Sequence, residues 1–202
     1  MEKIKIDELI LELTSAHRQI SRLCFSNELK PVKISIAQNS RSRSKLTLGD
    51  FRGNSGYVDG DMQITIWTLC LNGDPFQLLE TLMHEMVHQI NHQNNIKDCE
   101  NNQRHNKKFK EAALRAGLLV ERDENPNRGF TNTKLSETLK ALLREKLDLN
   151  WEVLKLKHYD ALYYEPINYK RRRTYTCKGC GLVITNSRVL RLKCLDCDLE
   201  LV

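Results

Sequence analysis

Two histidines four residues apart, with a glutamate beside the first, stand at His84-Glu85-Met86-Val87-His88. On a helix, side chains at i and i+4 lie one above the other on the same face, so two imidazoles at this spacing can share one metal ion. The glutamate between them is placed to hold a metal-bound water and accept its proton. On a helix this pattern is the signature of zinc-dependent peptide hydrolysis. Histidines at this spacing also arise by coincidence on surface helices. The flanks argue otherwise: Leu82, Met83, Met86, Val87 and Ile90 form an apolar stripe around the pair, as a buried helix requires.

A catalytic zinc takes three protein ligands and keeps one position open. His92 extends the series, but at ~1.5 Å rise per residue it lies ~12 Å from His84 along a continuous helix. Two zinc–nitrogen bonds of ~2 Å do not span that gap. No glycine follows His88 to turn the chain, as the longer metzincin motif has. His105 is the candidate third ligand. It opens a second helical pattern with Phe109, Ala112, Ala113 and Ala116 on one side and Gly117 as the stop. The stretch from about Gln93 to Gln103 is long enough to bring that helix back across the first.

A second metal pattern lies near the C-terminus. Cys177-Lys178-Gly179-Cys180 and Cys194-Leu195-Asp196-Cys197 are two C-x-x-C pairs with thirteen residues between them. Each pair presents two thiolates from a tight turn, and together they make a closed tetrahedral site. Leu182-Val183-Ile184-Thr185 and Val189-Leu190-Arg191-Leu192 read as strands around the turn Asn186-Ser187, which makes the segment a zinc ribbon. A pair of disulfides is the alternative, but nothing else in the chain suggests secretion. So small a tail has little core, so zinc should supply much of its stability.

These residues need a scaffold. Asp74 as N-cap, Pro75 in the first turn and Gln77 in a capping-box position predict a helix from about Pro75 to about Asn91. Residues 1–22 form an amphipathic helix pattern through Ile6, Leu9, Ile10, Leu13 and Ile20. Short strands are expected near Val32–Ala37, Lys45–Asp50, Gly56–Asp59 and Met62–Trp67, in a small antiparallel or mixed sheet. Met62–Trp67 is the candidate edge along which an extended substrate would lie. The polar stretch Asp123 to Gly129 should end the core. Beyond it Leu135, Leu139, Leu142, Leu143 and Leu147 follow helical spacing, on a connector that either packs on the catalytic unit or binds a partner.

At this point the chain resembles the SprT-like family, which includes the Spartan proteases. The resemblance rests on Leu79-Glu80-Thr81-Leu82 leading through Met83 into the motif, and on His105 with Phe109 and Lys110. Upstream, Val32–Ile36, Gly49, Gly56 and Ile64-Thr65-Ile66 are similar to that family's strands and turns; the match runs from about Ile4 to Val120 and, separately, over the cysteine-rich tail. The family's third histidine is usually followed by glycine, whereas Asn106 follows here; asparagine also tolerates left-handed backbone angles. The resemblance implies protein substrates bound or crosslinked to DNA.

Composition sets further bounds. The 202 residues make one domain or two small ones, without an apolar run that could serve as signal peptide or membrane span. Cys24, Cys70 and Cys99 read as ordinary reduced thiols, which points to a reducing, cytoplasmic setting. The formal charge is +6, and residues 151–202 carry ten basic against six acidic side chains. Lys170-Arg171-Arg172-Arg173 enters the ribbon with Tyr169 and Tyr175 beside it, a run that grips nucleic-acid phosphates or is a solvated linker. Arg41, Arg43 and Lys45 form a second basic cluster that reads as solvated surface.

The expected fold is α+β: a zincin-like core over residues 1–122, a helical connector over 123–169 and a four-cysteine ribbon over 170–202. The expected activity is that of a zinc metalloendopeptidase with two Zn2+ per chain. His84, His88 and His105 would hold the catalytic ion, Glu85 would be general base, and Cys177, Cys180, Cys194 and Cys197 would hold the structural one. A protein is the expected substrate, DNA the candidate partner through Lys170 to Arg173, and no membrane is involved. Tyr57 and His92 are the candidates for oxyanion stabiliser, neither singled out. Two other readings stay open: a DNA-binding scaffold with little turnover, and a protein adaptor whose ribbon binds protein.

Overall fold

The computed structural model describes residues 5–38, 47–163, 173–186 and 188–202, which fall into two compact units, one within Met1–Tyr164 and one within Glu165–Val202. The first opens with α1 (Ile6–Cys24), whose Leu9, Leu13, Ala16 and Ile20 recur every three or four residues and are fully buried. A three-stranded sheet follows, made of β1 (Lys33–Ala37), β2 (Gly49–Arg52) and β3 (Gln63–Trp67) in the order β1-β3-β2. It is mixed: β1 runs parallel to β3, and β2 antiparallel to it.

The strand expected at the edge is the central one. The strand within Met62–Trp67 is β3, and it lies in the centre with Ile64, Thr65, Ile66 and Trp67 buried. A run this apolar on both faces belongs between two neighbours, whereas an edge strand keeps one side polar. Among the described residues β2 is the edge that packs on the helix carrying His84 and His88. Gly56–Asp59 is not a strand either; Gly56 and Gly60 both hold positive φ, and the segment turns between β2 and β3.

The motif helix α2 (Pro75–Gln93) starts where expected and runs two residues further. Asp74 accepts from Phe76 N–H at 2.9 Å with Pro75 in the first turn. The capping box does not close: Gln77 accepts from the Asn72 amide instead, and Asp74 N–H donates to Asn72 Oδ1. One face of α2 buries Leu78, Leu79, Leu82, Met83, Met86 and Val87 in the main core. Truncating any of these leucines to alanine should cost about 2–5 kcal/mol.

Helix α3 (Lys107–Arg115) and a hairpin of β4 (Leu118–Glu121) and β5 (Asn132–Leu135) come next. Residues 123–129 are the loop of that hairpin, so the core does not end there. Leu135, Leu139, Leu143, Leu147, Val153 and Leu154 all enter the same apolar cluster as α1 and α2. The helical spacing begins later than expected, at α4 (Glu137–Lys146), because Ser136 caps it by accepting from Leu139 N–H at 3.1 Å. A short α5 (Tyr159–Leu162) closes the unit. No helix among the described residues is long and apolar enough to cross a membrane.

The second unit is built of β6 (Arg173–Thr176) paired with β7 (Val183–Asn186), and β8 (Lys193–Cys194) paired with β9 (Leu199–Glu200). The pairing corrects the expected hairpin: Val183–Asn186 pairs backward with β6, and Val189–Leu192 forms no strand. Its core is Cys177, Cys194 and Leu201, too few apolar side chains to hold a fold unaided.

Candidate active site

The i, i+4 spacing on α2 stacks His84 and His88 with ring centroids 5.2 Å apart. His105 meets both: its Nε2 lies 3.2 Å from Nε2 of His84 and 3.0 Å from Nε2 of His88. His105 is not in the first turn of α3 as expected. It stands before the N-cap in an extended segment, bridged to Cys99 on one side and Gly129 on the other. Its N–H donates to Arg128 O, and its carbonyl accepts from Phe130 N–H, both at 3.1 Å. Gly129 makes this approach available, since a β-carbon there would collide with the His105 carbonyl.

Asn106 also departs from expectation. Its φ of −96° is extended, not left-handed, and its side chain caps α3 by accepting from Lys108 and Phe109 N–H. The helix contributes Phe109 instead. This fully buried ring lies 4.8, 4.7 and 4.4 Å from the rings of His84, His88 and His105, a common floor that fixes all three.

Hydrogen bonds behind the rings select their tautomers. His88 Nδ1 pairs with Asp98 Oδ2 at 2.8 Å, and Asp98 is held in turn by the buried Asn91 amide at 3.1 Å. His84 Nδ1 pairs with Thr133 Oγ1 at 3.0 Å. With Nδ1 protonated against Asp98, the His88 Nε2 carries its lone pair inward. His105 Nδ1 is buried without a hydrogen-bond partner among the described residues.

The donor set fits a zinc ion. His105 Nε2 stands 3.0–3.2 Å from each of the other two inward nitrogens, where bare lone pairs would repel, and only a proton or a cation between them relieves that. Tetrahedral zinc with bonds of ~2.05 Å separates its nitrogens by about 3.3 Å. Burial and the neighbouring imidazoles hold His84 well below the usual histidine range, and burial pushes His105 down to about 4. Both are therefore neutral, as ligands must be, at neutral pH. For His88 burial pulls downward, but the Asp98 hydrogen bond and the Glu85 charge outweigh it and raise it.

Glu85 is 6 % exposed, and burial raises its carboxyl to about 7, with His88 pulling down and Asp50 and Asp98 pushing up. The Phe51 backbone N–H on β2 also favours its charged form. Glu85 and the three histidines line one open cleft of ≈ 770 Å³, with Thr47 to Phe51 along one wall and residues around 97–103 and 127–133 opposite. His92 lines it too, exposed, with its ring edge-on to Phe51 at 5.6 Å and apart from the ligand cluster. Tyr57 is not part of the cleft lining; its ring lies 3.8 Å under Lys33 Nζ.

The four cysteines Cys177, Cys180, Cys194 and Cys197 bring their sulfurs within 4.8 Å of one another, none in a disulfide. Cys180 and Cys194 sulfurs are 3.6 Å apart, against about 3.8 Å for the edge of a zinc–thiolate tetrahedron. Backbone N–H groups of Cys180 and Gly179 lower the Cys177 thiol to about 7, easing its conversion to thiolate. Both groups of residues could therefore hold a metal ion.

A family model described as the SprT-like family matches residues 13–139, well over half of the chain. The chain belongs to the SprT-like family. No curated protein and no solved structure matches it. The SprT-like match ends inside α4, so it takes in β5 and Thr133, beyond the limit of about Val120 expected from the motifs. Asp98 and Thr133, which orient His88 and His84, were not singled out as site residues in the sequence. Asp98 carried one faint signal, a carboxylate in a polar loop ten residues after His88; Thr133 carried none. Of the basic run, Lys170, Arg171 and Arg172 lie outside the described residues, as do Tyr169, Arg41, Arg43 and Lys45. Arg173 opens β6 and is exposed. The Tyr175 hydroxyl is tied down within the ribbon by Arg188 O and Leu190 N–H.

Proposed function

We propose that this SprT-like chain is a zinc-dependent endopeptidase, with His84, His88 and His105 holding the catalytic ion and Glu85 acting as general base. The observation that carries this reading is the convergence of three Nε2 atoms beside a buried carboxylate in an open cleft. Zinc, when bound, polarises the scissile carbonyl and brings the pKa of water toward neutrality. Glu85 takes the proton from the attacking water and passes it to the leaving amine. Its carboxyl at about 7 suits both halves of that task, since a group near the working pH gives and takes a proton with equal ease.

The substrate lies along β2. Leu48 O accepts from Trp67 N–H, so alternation along the antiparallel ladder turns the amide groups of Gly49 and Phe51 away from β3. An extended peptide pairs with the outward groups of Gly49, which brings its backbone past Glu85. The four cysteines hold a structural zinc, and the basic run from Lys170 to Arg173 directs the enzyme to proteins on DNA. Glu85→Gln keeps size and polarity but cannot take the proton. Cleavage of a DNA-bound test protein should fall by ~10²-fold or more with metal content unchanged. Full activity in that variant would remove Glu85 from its role.

A second reading concerns the ribbon, which exposes Leu182, Val183, Val189 and Leu195. Apolar side chains so placed favour a protein partner over phosphates. Replacing Arg171, Arg172 and Arg173 by alanine separates the two. DNA binding through the run would lose ~0.7–0.9 in the slope of log affinity against log salt per phosphate contact removed. An unchanged slope would favour the adaptor.

A further inference from the structure

Glu85 lies against a point on the edge strand that has no side chain. A β-carbon built on Gly49 would stand 2.6 Å from Glu85 Oε1, 2.8 Å from Glu85 Cγ and 2.9 Å from Thr81 Cγ2. Carbon atoms pack at about 3.5–4.0 Å, so all three approaches are forbidden rather than merely tight. Gly49 does not hold a positive φ, so its backbone would accept alanine without strain. The objection to a side chain here is contact alone.

The neighbours cannot yield cheaply. Glu85 is buried, and the Phe51 N–H on β2 favours its charged form, so retreat from β2 gives up that interaction. Thr81 is held by its hydroxyl, which donates to Gln77 O at 3.0 Å. The contrast lies four residues along the chain at Gly53. A β-carbon there would meet the ring of His92, the far end of an exposed side chain. Glycine inside a strand weakens it, so its presence marks a close approach by another group.

We propose that Gly49 is a positioning residue for the general base: the side chain it lacks is the space in which Glu85 is held against the edge strand. This rests on the assignment of Glu85 as base. The consequence is that one short strand does two things at one point. It seats the carboxylate, and it presents the outward backbone along which the peptide runs. A methyl group at residue 49 would push the carboxylate away from β2 and out of line with the water.

The test is a double-mutant cycle in the full zinc-loaded chain, with Thr81→Ser carried throughout to remove the Cγ2 contact. Gly49→Ala should lower the melting midpoint by about 5 °C when Glu85 is present, as overpacking does, and by much less in the Glu85→Ala background. Gly53→Ala should show no such coupling to Glu85. In kinetics, Gly49→Ala should reduce kcat by about 10²-fold, with KM within twofold and both zinc ions retained. An equal melting loss in both backgrounds, or parental kcat in Gly49→Ala, would overturn the proposal. Should Gly49→Ala fail to fold, recovery of the fold in Gly49→Ala/Glu85→Ala supports the contact, and failure there too overturns it. Absence of turnover in the parent would sink the peptidase reading alone, because the unfolding cycle reads the seat of Glu85 without catalysis.

Discussion

Asp98 Oδ2 accepts the Nδ1 proton of His88 across 2.8 Å, and both side chains are mostly buried. The two residues are ten apart in the chain, on either side of the turn that ends α2. The pairing fixes the ring, selects the tautomer and makes Nε2 a stronger donor to a cation. Asp98→Ala should therefore lower affinity at the histidine site by about 10–100-fold, read by competition with a chelator of known strength. The ribbon site, untouched, serves as the internal control. Equal competition curves for variant and parent would mean that Asp98 only stabilises the loop.

The choice of third ligand is tested by two alanine variants. His105→Ala should release the ion from the histidine site, since Nε2 of His105 lies within 3.2 Å of both other ligand nitrogens. His92→Ala should retain it, because that ring packs on Phe51. Elemental analysis after gel filtration reads the difference. Loss of metal from His92→Ala with retention in His105→Ala would reverse the assignment.

Activity should depend on pH through Glu85. Its carboxyl is raised to about 7 by burial and must be ionised to accept a proton, so rate falls as pH drops below that value. A cation among the histidines favours the ionised form, so the inflection is expected at or below about 7. The logarithm of kcat/KM should rise with a slope near one on the acid side. A flat profile across that range would remove Glu85 as the titrating base.

Metal and stability should be linked most tightly in the ribbon. Its apolar core is only Cys177, Cys194 and Leu201, so the ion supplies what burial cannot. The intact chain should hold two zinc ions, and Cys177→Ser with Cys194→Ser should leave one. Loss of amide-exchange protection in that variant should be confined to residues 173–202, with α2 unchanged. Retention of two ions would show that the four sulfurs are not a ligand set.

Some of this was legible in the chain because the chemistry is local. The 3.6-residue period places His84, Glu85 and His88 on one helix wherever that helix goes, and Asp74 with Pro75 marks its start. Each C-x-x-C turn brings its two thiols together within a single bend, so the four-cysteine set follows from spacing. Helical rise sets His92 aside, and the second helical pattern that His105 opens makes it the candidate, although His105 stands before the N-cap of α3.

What spacing could not supply was the order of elements. A strand reads alike at the centre or edge of a sheet until its partners are known, so Met62–Trp67 reads as an edge although β2 occupies that place. A polar stretch reads alike as a domain end or as a hairpin loop, so Thr133, carried back by β5 to His84, was invisible. Residue types and local periodicity determined which groups are the candidates for the chemistry. Long-range pairing decided what stands behind and beside them: Asp98 behind His88, Phe109 beneath all three rings, and at Gly49 the space that Glu85 fills. No local pattern encodes those contacts, because each joins segments whose approach depends on the packing of the whole core.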